Sequence, residues 1–64
     1  MKPKLEYDPA ADAAYIRFSS EPALESEEVS QGIVLDYDRA GHIVGMEVMN
    51  ARTNLPATVL DDAA

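Results

Sequence analysis

Apolar and polar side chains alternate along most of this chain, the period of a half-buried β-strand. Leu5 and Tyr7 point one way, Lys4 and Glu6 the other. Ala14, Ile16 and Phe18 share a face, backed by Ala13, Tyr15 and Arg17. Ile33, Leu35 and Tyr37 align next, and Val44, Met46 and Val48 align within the run Ile43 to Met49. The stretch Glu25 to Val29 reads as an edge strand or a loop, because charge along an edge discourages stray pairing. Phe18 and Val48 are expected to be buried.

Two segments resemble each other. Glu6 to Phe18 aligns with Asp36 to Val48, thirty positions on: each has an acid-Tyr-Asp step, small or polar residues, then a run ending in large apolar side chains. This pattern predicts a strand, a turn and a returning strand, used twice. Asp8-Pro9 and Asp38-Arg39-Ala40-Gly41 supply turn chemistry, and Gln31-Gly32 marks a further tight turn. Asn50 is placed to cap a helix that Pro56 holds to little more than one turn. Thr58 to Leu60 adds a last turn, and 61–64 reads as a frayed tail. The expected fold is mainly β, with a small α+β arrangement as the variant. It is an antiparallel meander sheet of four to five strands from two similar hairpins, with a short C-terminal helical segment, in one domain over 1–60.

Composition adds a constraint on stability. The chain has 64 residues and no cysteine, and ten of its hydrophobic residues are alanine, which bury little area each. Apolar burial supplies about 90 kcal/mol for a chain of this mass. Ordering it costs about 95 kcal/mol. The two cancel, and no disulfide or cysteine-based metal site can staple the fold. Both sheet faces carry apolar groups that one small helix cannot cover, so a homodimer or higher homo-oligomer is expected.

Charge narrows the choice of partner. Five basic residues against twelve acidic ones give a net charge of -7, which repels phosphate backbones and argues against direct nucleic-acid binding. No apolar run spans a bilayer and no signal-type hydrophobic stretch follows Met1, so a cytoplasmic protein without a membrane association is expected. The natural partner is a basic protein. Glu21, Glu25, Glu27 and Glu28 form the densest acidic stretch, with Leu24 and Val29 as apolar anchors inside it. From this stretch, together with Tyr15, comes the expected partner-binding set: Leu24, Glu25, Glu27, Glu28, Val29 and Tyr15. Tyrosine suits an interface because its ring buries area while its hydroxyl keeps a bond.

Catalytic chemistry has little to stand on. His42, the single histidine, sits beside a turn where polar residues belong, although Asp36 or Asp38 and Ser19, Ser20, Ser26 or Ser30 are conceivable companions. The expectation is no enzyme and no cofactor. Asp8, Asp12, Asp36 and Asp38 flank the two hairpin turns. Were the hairpins side by side, these four would offer oxygens to a hard cation, which makes a small ligand- or divalent-cation-binding protein the alternative. The plainer reading is that each Asp caps its own turn.

The motifs Tyr7 to Ile16, Val34 to Asp38 and Gly41 to Val48, in that order, resemble the short bacterial and archaeal proteins grouped as domain of unknown function 2283 (DUF2283). The likeness spans roughly Leu5 to Leu55. The resemblance implies a small β-rich fold and no assigned activity. Genes of some such proteins neighbour genes for small ribonuclease-type toxins, which implies an antitoxin role for part of the family. The expected function is therefore a small acidic, non-enzymatic interaction module, antitoxin-like, that neutralises a basic partner.

Overall fold

The computed structural model describes residues 3–63. Five strands form one antiparallel sheet: β1 (Lys4–Asp8), β2 (Ala13–Arg17), β3 (Glu25–Ser30), β4 (Ile33–Tyr37) and β5 (Ile43–Met49). Two short helices follow, α1 (Ala51–Asn54) and α2 (Ala57–Ala63). The mainly β architecture matches the alternation in the sequence. The spatial order is β1-β2-β5-β4-β3. Strands β3, β4 and β5 form a meander, and the β1–β2 hairpin joins it through β2 against β5, so residues 18–24 must cross to the far edge.

The β1–β2 and β4–β5 hairpin turns are both built by aspartate. Asp8 Oδ1 accepts the amides of Ala10 at 3.0 Å and Ala11 at 3.4 Å. Asp38 Oδ1 accepts those of Ala40 and His42, each at 2.9 Å. Gly41 leaves its turn at φ +88, a left-handed conformation that glycine adopts without a Cβ penalty.

One face of the sheet carries Leu5, Tyr7, Ala14, Ile16, Ile33, Leu35, Met46 and Val48, as the cross-strand register requires. The helices pack here, over β1 and β5. Ala14, Val48, Ala51 and Leu60 form the buried cluster, flanked by Leu5, Tyr7, Ile33, Met46 and Leu55. Phe18, expected inside, is 39% exposed because it lies beyond the end of β2, where no helix reaches.

Asn50 precedes α1 as expected, yet its side chain caps nothing and its backbone is left-handed, φ 50. The cap comes from Asp12, also left-handed at φ 51. Its carbonyl accepts the Ala51 amide at 2.9 Å and its Oδ1 the Arg52 amide at 3.1 Å. A hairpin turn thus satisfies helix donors from a remote part of the chain. Leu55 is extended before Pro56, so α1 ends after one turn. Asp61 to Ala63, expected as a frayed tail, belong to α2, while Ala64 lies outside the described residues.

Candidate functional site

Among the described residues, strand β3 pairs only with β4 and is a free edge of the sheet. All six of its residues are exposed. Register with β4 sets the two sides: Glu25 and Glu27 stand opposite Tyr37 and Leu35 on the helix-bearing face, while Ser26 and Glu28 stand opposite Asp36 and Val34 on the other. The acidic run is therefore split by the strand's pleat, and its carboxylates border the edge on both sides instead of forming one flat patch. Val29 occupies an irregularity between Glu28 and Ser30 and is 48% exposed. Leu24, just before β3, is 56% exposed and lines a shallow hollow with Glu21, Pro22, Asp38 and Arg39. Of the six expected partner-binding residues, five thus border one edge, and Tyr15 stands apart on β2.

Tyr15 has another occupation. Its ring lies across β5 on the helix-free face, and its hydroxyl donates to Asp36 Oδ2 at 2.8 Å. Ser26 Oγ donates to the other oxygen of the same carboxylate at 2.6 Å. Gly45 lies beneath the ring, and a Cβ there would fall on the Tyr15 hydroxyl. One tyrosine, one aspartate and one serine therefore lace β2, β4 and β3 together across β5. The Arg17 guanidinium stacks 5.4 Å from the ring centroid on the same face.

The sheet also assembles a row that no linear stretch reveals. Glu6, Tyr15, Glu47, Val34 and Glu28 are neighbours in register across all five strands of the helix-free face. Strand spacing sets successive carboxylates roughly 10 Å apart at the backbone. Lys4 and Arg17 fill the next row on β1 and β2. The acidic excess therefore falls at Glu47 and Glu28, toward the β3 edge.

The expected convergence of four aspartates does not occur. Antiparallel pairing of β2 with β5 sets Ala13 against Met49 and Arg17 against Gly45, which sends the turns before β2 and β5 to opposite ends of the sheet. Asp8 and Asp38 cap their own turns, Asp12 accepts the Tyr7 hydroxyl at 2.9 Å as well as the α1 amide, and Asp36 holds Tyr15 and Ser26. Among the described residues, no group of three or more acidic, histidine or cysteine side chains is arranged to hold a metal ion.

His42 lies in the β4–β5 turn with its Nδ1 3.2 Å from Asp38 Oδ2, and its side chain is 78% exposed. No serine hydrogen-bonds to it among the described residues. The His42 amide, with help from its ring and the Ala40 amide, holds the Asp38 carboxyl below the ordinary value of 3.8. Its stabilising contribution is present above that value and is lost as pH falls through the lowered one.

Burial, followed by the hydrogen bond to Asp36, raises the Tyr15 hydroxyl above the ordinary 10.0; burial and then Asp12 do the same for Tyr7. Both contributions to stability are intact below pH 10 and are lost as pH rises through the raised folded values. Ultraviolet titration should show tyrosinate appearing later in the folded protein than in urea, with Tyr15→Phe removing part of the lag. Coincident curves for folded and unfolded chain would contradict the partial burial and the carboxylate contacts of the two hydroxyls.

The fold defines a class first: a small, mainly β domain with a five-stranded antiparallel sheet and two short C-terminal helices. The family model described as "Protein of unknown function (DUF2283)" matches residues 4–52, and the chain belongs to that family. No curated protein and no solved structure matches it. No helix among the described residues is long and apolar enough to cross a membrane.

Proposed function

We propose that the protein is a non-enzymatic interaction module that binds a basic protein through the β3 edge and neutralises it as an antitoxin does. The observation that carries this reading is a free strand edge bordered by carboxylates on both sides, Glu25 and Glu27 on one and Glu28 on the other. An extended segment of a partner can add to such an edge through backbone hydrogen bonds. Its alternate side chains would then face acidic groups above and below the sheet, so a segment with lysine or arginine on both faces fits best. Leu24 and Val29 at the two ends of β3 offer apolar contact. The same charge repels a second acidic edge, which keeps the strand from pairing with its own kind. A net charge of -7 speeds encounter with a basic surface.

Affinity purification from the native host tests this. The wild-type chain should retain a protein rich in Lys and Arg at low salt and release it as salt rises, because screening weakens exposed charge pairs. The triple variant Glu25→Lys, Glu27→Lys, Glu28→Lys should keep its circular dichroism spectrum and retain none of that protein. An acidic partner, or equal retention by the triple variant, would refute the reading.

A further inference from the structure

We infer that two copies of this chain pair through the β1 edge, antiparallel about a two-fold axis at Leu5, so that two five-stranded sheets become one. Among the described residues β1 pairs only with β2, and its outer side is the second free edge of the sheet. The direction of its backbone groups follows from two bonds elsewhere. The Phe18 amide donates to the Val44 carbonyl of β5 at 2.9 Å, and the Met49 amide donates to the Gly32 carbonyl, on the side away from β2, at 2.8 Å. Strand alternation then turns Ala13, Tyr15 and Arg17 toward β1, and their partners Asp8, Glu6 and Lys4 toward β2. Leu5 and Tyr7 are left with N–H and C=O directed outward. The Pro3 carbonyl, trans to the Lys4 amide, faces the same way.

Charge selects the register. A two-fold pairing of β1 can centre on Leu5, Glu6 or Tyr7. Centring on Glu6 sets the two Glu6 side chains directly against each other, and centring on Tyr7 sets Glu6 against Asp8 twice. Like charges directly opposite one another are destabilising. Centring on Leu5 instead sets Lys4 opposite Glu6 of the second copy, twice over and at the closely spaced kind of position, with Leu5 opposite Leu5 on the helix-bearing face. The two Leu5 residues exchange backbone bonds, and each Tyr7 amide meets the Pro3 carbonyl of the other copy. Proline therefore falls at the end of the ladder, where it is tolerated.

The surroundings of β1 favour a second copy as the occupant. Lys4 and Glu6 are both exposed. Lys4 and Arg17 are like-charged neighbours across β1 and β2, and neither forms an ion pair among the described residues. A Glu6 carboxylate of the second copy offsets that positive pair. A contact of this symmetry also closes on itself, using both β1 edges and leaving no chain of further copies. In the joined sheet the two β3 strands lie at opposite ends, about 40 Å apart. That is several times the screening length of about 8 Å, so the acidic edge of one copy does not repel the other. This inference is independent of the basic partner proposed above, because both β3 edges stay free.

Light scattering coupled to size exclusion, over micromolar to hundreds of micromolar, reads the result. The wild type should approach the mass of two chains. Lys4→Glu and Glu6→Lys should each weaken the pair about tenfold, since attractive contacts become repulsive, and an equimolar mixture of the two variants should recover it. A wild type that keeps the single-chain mass throughout would overturn the inference. So would single variants that pair as well as the wild type, or a mixture that pairs no better than its components. If a charge variant loses its sheet spectrum, an introduced cysteine decides, because the chain has none of its own. Under mild oxidation Leu5→Cys should form a disulfide between copies faster than Glu6→Cys, whose two cysteines would lie more than about 7 Å apart in this register. Equal or reversed rates would overturn the register and the inference with it.

Discussion

Gly45→Ala is expected to cost about 2–3 kcal/mol. Inserting one methyl into a filled site costs about 1–3 kcal/mol, and losing a hydrogen bond adds about 1 kcal/mol. Both apply here because the new Cβ would occupy the position of the Tyr15 hydroxyl. The ring must then swing off β5 and release Asp36, which unties β2 from β4 on the helix-free face. A domain of this size commonly has about 3–10 kcal/mol of stability in total, so the loss should lower the urea midpoint markedly without altering the slope. The companion measurement is a double-mutant cycle. In a Tyr15→Ala background the site beneath the ring is vacant, and Gly45→Ala should cost almost nothing further. Equal losses in both backgrounds would mean that the ring and the glycine are not coupled.

That coupling marks the boundary of what the sequence discloses. The strands are legible because a pleated chain exposes one side chain in two, and Leu5, Ile16, Leu35 and Val48 keep that period. The turns are legible because Asp8 and Asp38 act on amides two to four residues away. The order of strands is not. Two similar hairpins say nothing about which edges meet, and pairing β2 with β5 is what separates the four aspartates. The same long-range register creates the row Glu6, Glu47 and Glu28, whose members lie far apart in the chain. The acidic run was visible as charge, but its division between two faces depends on β3 being a paired strand. Asp12 as the cap of α1 has no local signal, since its donors come from residues 51 and 52. Gly45 did carry one. An isolated glycine within a strand pattern signals a close approach by something bulky, and the tyrosine needed to fill that place stands in β2.

Val48→Asp should abolish the fold at neutral pH. Val48 is 1% exposed and sits between Ala14 on β2 and Ile33 on β4. It joins Ala51 of α1 and Leu60 of α2 in the buried cluster, so it binds the sheet to both helices. A carboxylate there finds no cation within the cluster, and an unpaired buried charge costs several kcal/mol, on the order of the whole stability of the domain. Val48→Ala removes two methyl groups and should cost only about 2 kcal/mol, leaving a weakened but cooperative transition. Val29→Asp is the counterpart on β3: the residue is 48% exposed, and the change should leave the midpoint near that of the wild type. Circular dichroism in urea distinguishes the three. The contrast between positions 48 and 29 isolates burial, because both begin as valine in a strand and receive the same charge. Retention of a near-native midpoint by Val48→Asp would mean that α1 and α2 do not close over the sheet at this point, and the placement of the core would fail with it.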